Sequence, residues 1–224
     1  MRDRPCPPES LRRVIAAVVA AIALGAGPAA RAEPVSWATA QAAELTRQAR
    51  EHAGSGDRAT ANRRYREAIG FDATYGPAYL GLGALQESAG DAREAERAYA
   101  LGLEHVGDFA EGHVARGRLR RKLRRLGEAI ADFEAAAALR PDDLGILREL
   151  SGAYVSTRAL PAALATSRRI AALAEARRDA RAAAEAKVTI GALALLLAEV
   201  DPVAAGAAGR GAVRRALALA ARRR

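Results

Sequence analysis

The chain has 224 residues, half of them apolar, 4% aromatic and 27% charged, with a formal net charge of +9. Its one cysteine, Cys6, excludes a disulfide framework or a thiolate metal site, and His52, His105 and His113 lack the HxxxH or HExxH spacing of a zinc site. Long alternating runs of Val, Ile and Thr are missing, and alanine is the commonest residue, so thin, closely packed helices are expected rather than sheets.

Residues 1–32 have the three parts of a secretory signal peptide. Arg2, Arg4, Arg12 and Arg13 form a basic start, an apolar run extends from Val14 to Leu24, and Ala30-Arg31-Ala32 supplies the small-x-small cleavage pattern. The mature chain would begin at Glu33, carry a net charge of +6, and be periplasmic or secreted. A retained membrane anchor is the alternative. The apolar run, however, falls short of the roughly 20 residues a span requires, and Gly25, Gly27 and Pro28 interrupt it. Cys6 precedes the run rather than following it, against a lipoprotein, and Leu11 before Arg12-Arg13 favours general secretion over twin-arginine export. Beyond the leader no segment spans a membrane, since Val188 to Val200 is too short and carries Glu199.

Residues 42–75, 76–109, 110–143 and 144–177 align with one another without a gap. One column reads Ala61, Ala95, Ala129, Ala163; a second reads Ala49, Gly83, Gly117, Ser151. A third reads Tyr65, Tyr99, Phe133, Ser167, and a fourth Ala68, Gly102, Ala136, Ile170. This 34-residue period, carried best by Tyr79-Leu-Gly-Leu82-Gly83 with Ala95 and Tyr99, and by Gly127 to Pro141, resembles the tetratricopeptide repeat (TPR). The resemblance implies an all-α, right-handed superhelical solenoid of about four helix-turn-helix repeats over residues 33–177. Gly56-Asp57 and Gly90-Asp91 mark turns, Pro141 ends a helix and Pro161 opens one. The third repeat departs from the pattern, with Arg116 where the family has leucine and His113 and Arg120 in aromatic slots, so it is expected to pack more loosely. The same is expected of the fourth, where Ser167 replaces the aromatic, and of the first, where Gln48 replaces the leucine.

Residues 178–202 are expected to form a capping helix with an apolar stripe of Val188, Ile190, Leu193, Leu197 and Val200. Residues 203–224 follow as a glycine-containing flexible link and a basic helix at about 212–222.

In this family the first helix of each repeat lines a concave groove. The resemblance puts Arg118, Arg121 and Lys122 on that face, flanked by Arg50 and Arg148, with Leu80 and Ala84 as its apolar part. Such a groove suits a protein or peptide partner, including an acidic one, an anionic glycan or a phosphate-rich polymer. A solvated arginine face on an arginine-rich protein is the competing reading. TPR domains that grip an acidic chaperone tail use a lysine and asparagines where this chain has Thr46 with Arg50 and Leu80 with Ala84, so that activity is not supported. Few aromatics are free for base stacking, which disfavours nucleic acid. No phosphate loop, GxSxG or acid/base pair beside a nucleophile points to catalysis, and no cofactor is implied. His113 falls in a packing slot. An exported scaffold binding protein through its groove is therefore expected. The alternative is a peripheral envelope protein held to anionic polymer or membrane by basic patches.

Overall fold

The structure, a computed structural model, describes residues 36–200. The signal-peptide segment 1–32, the link from 203 and the basic helix at 212–222 lie outside the described residues. Among the described residues there are nine α-helices and no strand: α1 (Trp37–Gly54), α2 (Arg58–Phe71), α3 (Gly76–Ala89), α4 (Ala92–His105), α5 (Ala110–Lys122), α6 (Leu126–Leu139), α7 (Leu144–Ser156), α8 (Leu160–Ala176) and α9 (Ala180–Val200). The helices α3, α5 and α7 start 34 residues apart, and so do α2, α4, α6 and α8. The helix α1 starts earlier than this spacing requires, at Trp37.

Each odd-numbered helix packs against the even-numbered helix that follows, and each pair packs against the next. Across repeats α1 touches α3, α3 touches α5 and α5 touches α7, whereas the even-numbered helices do not touch one another. The first helices therefore form the inner, concave layer and the second helices the outer one.

The four repeat columns lie in the core. Ala61, Ala95, Ala129 and Ala163 are fully buried, and Tyr65, Tyr99, Phe133 and Ser167 are nearly so. Glycine is required where the rings cross a facing backbone. A Cβ on Gly83 would lie 2.3 Å from Cε1 of Tyr99, and one on Gly117 would lie 2.8 Å from Cε1 of Phe133. In the fourth repeat the pair has changed together: Ser151 replaces the glycine, Ser167 replaces the ring, and their buried hydroxyls meet at 3.0 Å. The smaller side chain makes room for the larger one, and the hydrogen bond satisfies both.

Aspartates cap the starts of α2, α4 and α7. The Asp57 carboxylate accepts from Thr60 N–H, Asp91 from Glu94 N–H, and Asp143 from Gly145 and Ile146 N–H. At the turn inside each repeat one residue takes the left-handed conformation, at Gly56, Gly90, Arg124 and Arg158. Glycine fills that position in the first two repeats and arginine in the last two.

The third repeat is not looser, contrary to what its departures suggest. Asp132 on α6, only 2% exposed, accepts from Arg116 Nη2 at 2.7 Å, from Arg120 Nη1 at 3.0 Å, and faces His113 Nδ1 at 3.3 Å. Arg120 continues to Glu96 on α4 at 2.8 Å, and Arg125 joins the same carboxylate at 2.6 Å. The polar residues in apolar slots are thus tied to one buried acid, and the resulting network joins α4, α5 and α6.

The capping helix α9 packs on α8 through much of the expected stripe, with Leu193 buried and Ile190 and Leu197 against the core, but not through Val188. Its buried face is Ala182, Ala183, Ala186, Leu193 and Ala194, with Ile190 and Leu197 partly covered, while Val188 is 66% exposed. Alanines let α9 approach closely, and that turns Val188 outward. No helix among the described residues is long and apolar enough to cross a membrane.

Candidate partner-binding groove

The inner face of α5 carries the arginine run. Arg118 Nε contacts Glu149 Oε1 at 2.7 Å, and Arg121 Nη1 contacts Glu149 Oε2 at 2.5 Å, so one carboxylate on α7 holds two guanidinium groups. In the other direction Lys122 Nζ reaches Glu87 Oε2 on α3 at 2.7 Å, and the Tyr99 hydroxyl donates to the other oxygen of Glu87, also at 2.7 Å. Burial pushes the Tyr99 phenol well above its ordinary value, and the Glu87 carboxylate adds to the rise. Arg148 on α7 reaches Glu185 on α9 at 3.3 Å, where Arg181 also binds at 3.0 Å.

These contacts bring Arg118, Arg121, Lys122 and Arg148 together on one ladder of first helices. They are not the free, mutually reinforcing charges the sequence suggests, because each is paired to a carboxylate of a neighbouring repeat or of the capping helix. From α5 to α9, Arg118, Arg121, Arg148 and Arg181 face Glu149 and Glu185, a surplus of two positive charges. Arg118 and Arg148 are about half exposed, at 53% and 48%, and each engages its carboxylate through one nitrogen.

The other expected groove residues divide. Arg50 is exposed on α1 and reaches the Tyr65 phenol, whose ionisation is pushed up by burial with Arg50 opposing. Ala84 is exposed on α3. Leu80 is partly buried against Ala95, Tyr99 and Leu119, so it serves the packing between second and third repeats more than the surface. Glu87, Glu149 and Glu185 were not singled out in the sequence. They lie 35, 31 and 37 residues from Lys122, Arg118 and Arg148, within a helical turn of the repeat length, and a search for opposite charges at that offset would have found them.

Among the described residues no group of three or more His, Cys, Asp or Glu is placed to hold a metal ion. His113 is bound into the Asp132 cluster beside two arginines.

No protein-family model and no curated protein matches the chain. Solved structures do. MamA is 17% identical with a TM-score of 0.54, over 68% of this chain and 80% of that one. YrrB, described as a TPR protein with an unusual peptide-binding site, is 17% identical with a TM-score of 0.53, over 69% and 77%. A tetratricopeptide repeat protein from Parabacteroides merdae is 16% identical with a TM-score of 0.56, over 73% and 68%. At these identities the likeness is one of fold: this chain is an all-α, right-handed superhelical TPR solenoid of four helix pairs with a C-terminal cap.

Proposed function

We propose that the chain is an exported scaffold that holds a partner protein in its concave groove, by binding rather than by catalysis. The observation that carries this reading is the ladder of ion pairs along α3, α5, α7 and α9, in which the cations Arg118, Lys122 and Arg148 stay exposed while Glu87 and Glu149 are largely covered. Pairs whose cation is solvated are each worth on the order of 0–1 kcal/mol, so a ligand carboxylate can join at little cost. The peptide-binding site ascribed to YrrB is consistent with such a use of the fold.

Two experiments test it. A photo-crosslinking residue at Ala84, on the groove, should capture a discrete partner from the envelope fraction, and one at Arg93, exposed on the outer helix α4, should not. Replacing Arg118 and Arg148 together by glutamine leaves Glu149 with Arg121 and Glu185 with Arg181, so helicity should persist. Capture should then fall several-fold and lose its salt dependence, since the charges concerned act over about 8–10 Å at ordinary ionic strength. Equal capture by both positions, or by both proteins, would exclude the groove. Export is tested by mass spectrometry of envelope material, which should begin at Glu33; a chain retaining residues 1–32 would refute cleavage.

The second reading, attachment to anionic polymer or membrane, draws on Arg58, Arg63 and Arg66 along the outer face of α2. Arg63 there is 65% exposed and Glu67 is its acid neighbour, at 4.0 Å. Sedimentation with anionic vesicles that is abolished by replacing these arginines, and left intact by the groove variant, would favour it.

A further inference from the structure

A stack of helix pairs ends in two outward faces, and each must be tolerable to water. At the N-terminal end α1 meets this with charge: Glu44, Arg47 and Glu51 stand exposed at three- and four-residue spacing, and the Arg47 guanidinium binds both acids. The helix α9, at the other end, has no charged residue between Lys187 and Glu199. Opposite the side that buries Ala186 and Leu193 it carries Ala184, Val188, Ala192, Leu195 and Leu196. All five are exposed, Val188 by 66%, Leu195 by 41% and Leu196 by 45%. Their spacing makes one apolar stripe along α9.

The size of the stripe selects its occupant. Three branched side chains and two alanines expose a few hundred Å² at most. A second copy would be held by far less than the roughly 800 Å² per partner of a stable interface, against lost translational freedom. A segment tethered to α9 meets no such cost, because its effective concentration is in the millimolar range. Residues 201–224, outside the described residues, follow α9 directly and contain such a segment. Val213, Leu217 and Ala220 recur at four- and three-residue spacing with Ala216 beside them, while Arg214, Arg215 and Arg222 fall on the other side of a helix. A helix over 212–222 spans about 16 Å, and the stripe from Ala184 to Leu196 spans about 18 Å. Residues 201–211 exceed the roughly two to five that join an antiparallel helix pair, so the chain can return along α9.

We propose that residues 212–222 dock as a helix antiparallel to α9 and cover its apolar stripe, with Val213 beside Leu196, Leu217 beside Ala192 and Ala220 beside Val188. The occupant is this chain's own C-terminal segment. Its arginines then face outward, and the C-terminal end acquires the charged surface that α1 gives the N-terminal end. The basic helix is by this account the outer layer of the cap, and the inference stands independently of what the groove binds.

Hydrogen exchange read by mass spectrometry on the chain from Glu33 tests the docking. Peptides covering 212–222 should exchange at least tenfold more slowly than in Val188→Glu or Leu217→Glu, which place a charge in the contact from either side. Arg215→Glu, on the outward side, should keep the protection. Val188 is 66% exposed, so Val188→Glu leaves the helices of the solenoid in place. The direction of the helix is read by disulfides, because no cysteine follows Cys6. Val188→Cys with Ala220→Cys should close within one chain on oxidation, and Val188→Cys with Val213→Cys should not; closure of the second pair instead refutes the antiparallel arrangement. Exchange at 212–222 as fast as in the glutamate variants refutes the docking. A disulfide that links two chains, or protection that rises with protein concentration, assigns the stripe to a second copy and overturns the proposal. Protection that arises only with anionic vesicles assigns the segment to a membrane surface and overturns it equally.

Discussion

Removing the Asp132 carboxylate strands charge inside the third repeat. Asp132→Ala takes from Arg116, whose side chain is 20% exposed, the acid it binds at 2.7 Å. Arg120 loses a 3.0 Å contact but keeps Glu96 at 2.8 Å. Breaking a fully buried ion pair costs about 3–5 kcal/mol. Because Arg116 reaches some solvent and Arg120 keeps an acid, a loss of about 2–3 kcal/mol is expected here. For a domain of this size that lowers Tm by about 5–10 °C. The second repeat provides the control, since the positions equivalent to Arg116 and Asp132 are Leu82 and Ala98, buried in one apolar cluster. Arg116→Leu with Asp132→Ala should therefore recover stability to within about 1 kcal/mol of wild type, because an apolar replacement of a buried pair is often neutral or better. Urea unfolding followed by circular dichroism reads both variants as midpoints at constant slope. A double variant as unstable as Asp132→Ala would show that the cost comes from something other than stranded charge.

Arg158 holds a left-handed φ of +58° at the turn where the first two repeats have glycine. Arg158→Gly should stabilise the chain by about 0.5–1 kcal/mol in the same urea assay, and a loss would mean that the arginine side chain stabilises the turn. Gly112→Ala would place a Cβ 2.3 Å from the Phe109 ring, which is seated between Gly76, Gly102 and Gly112. It should cost about 1–3 kcal/mol, and an unchanged midpoint would mean the ring can move aside. Burial pushes the Glu96 carboxyl up, but hydrogen bonds from Arg125 and Arg120 outweigh it and hold it below its ordinary value. A depressed carboxyl stabilises the fold above the ordinary carboxyl range, and this contribution disappears as pH falls through about 4 and below. The stability gap between wild type and Glu96→Gln should thus close in acid; a gap constant from neutrality to acid would oppose that assignment.

The helix pairs and their core were legible in the sequence because both depend on relations within one repeat. Ala95, Tyr99 and Gly83 recur at 34-residue intervals for steric reasons that each repeat meets alone, since a ring crossing a backbone demands a glycine there. The turns at Gly56-Asp57 and Gly90-Asp91 were legible for the same reason, as they depend on atoms only a few residues away. The groove charges were not. Whether Arg118 is free depends on Glu149 in the next repeat, and whether Arg148 is free depends on Glu185 beyond the period's end. Only stacking the repeats decides which carboxylates come within reach. The third repeat shows the same division. Arg116 and His113 look like defects when compared with a column, and become a satisfied cluster once helix packing brings Asp132 between them. Local sterics repeat along the chain and can be read from it, whereas a charge is settled by whatever the fold brings near it.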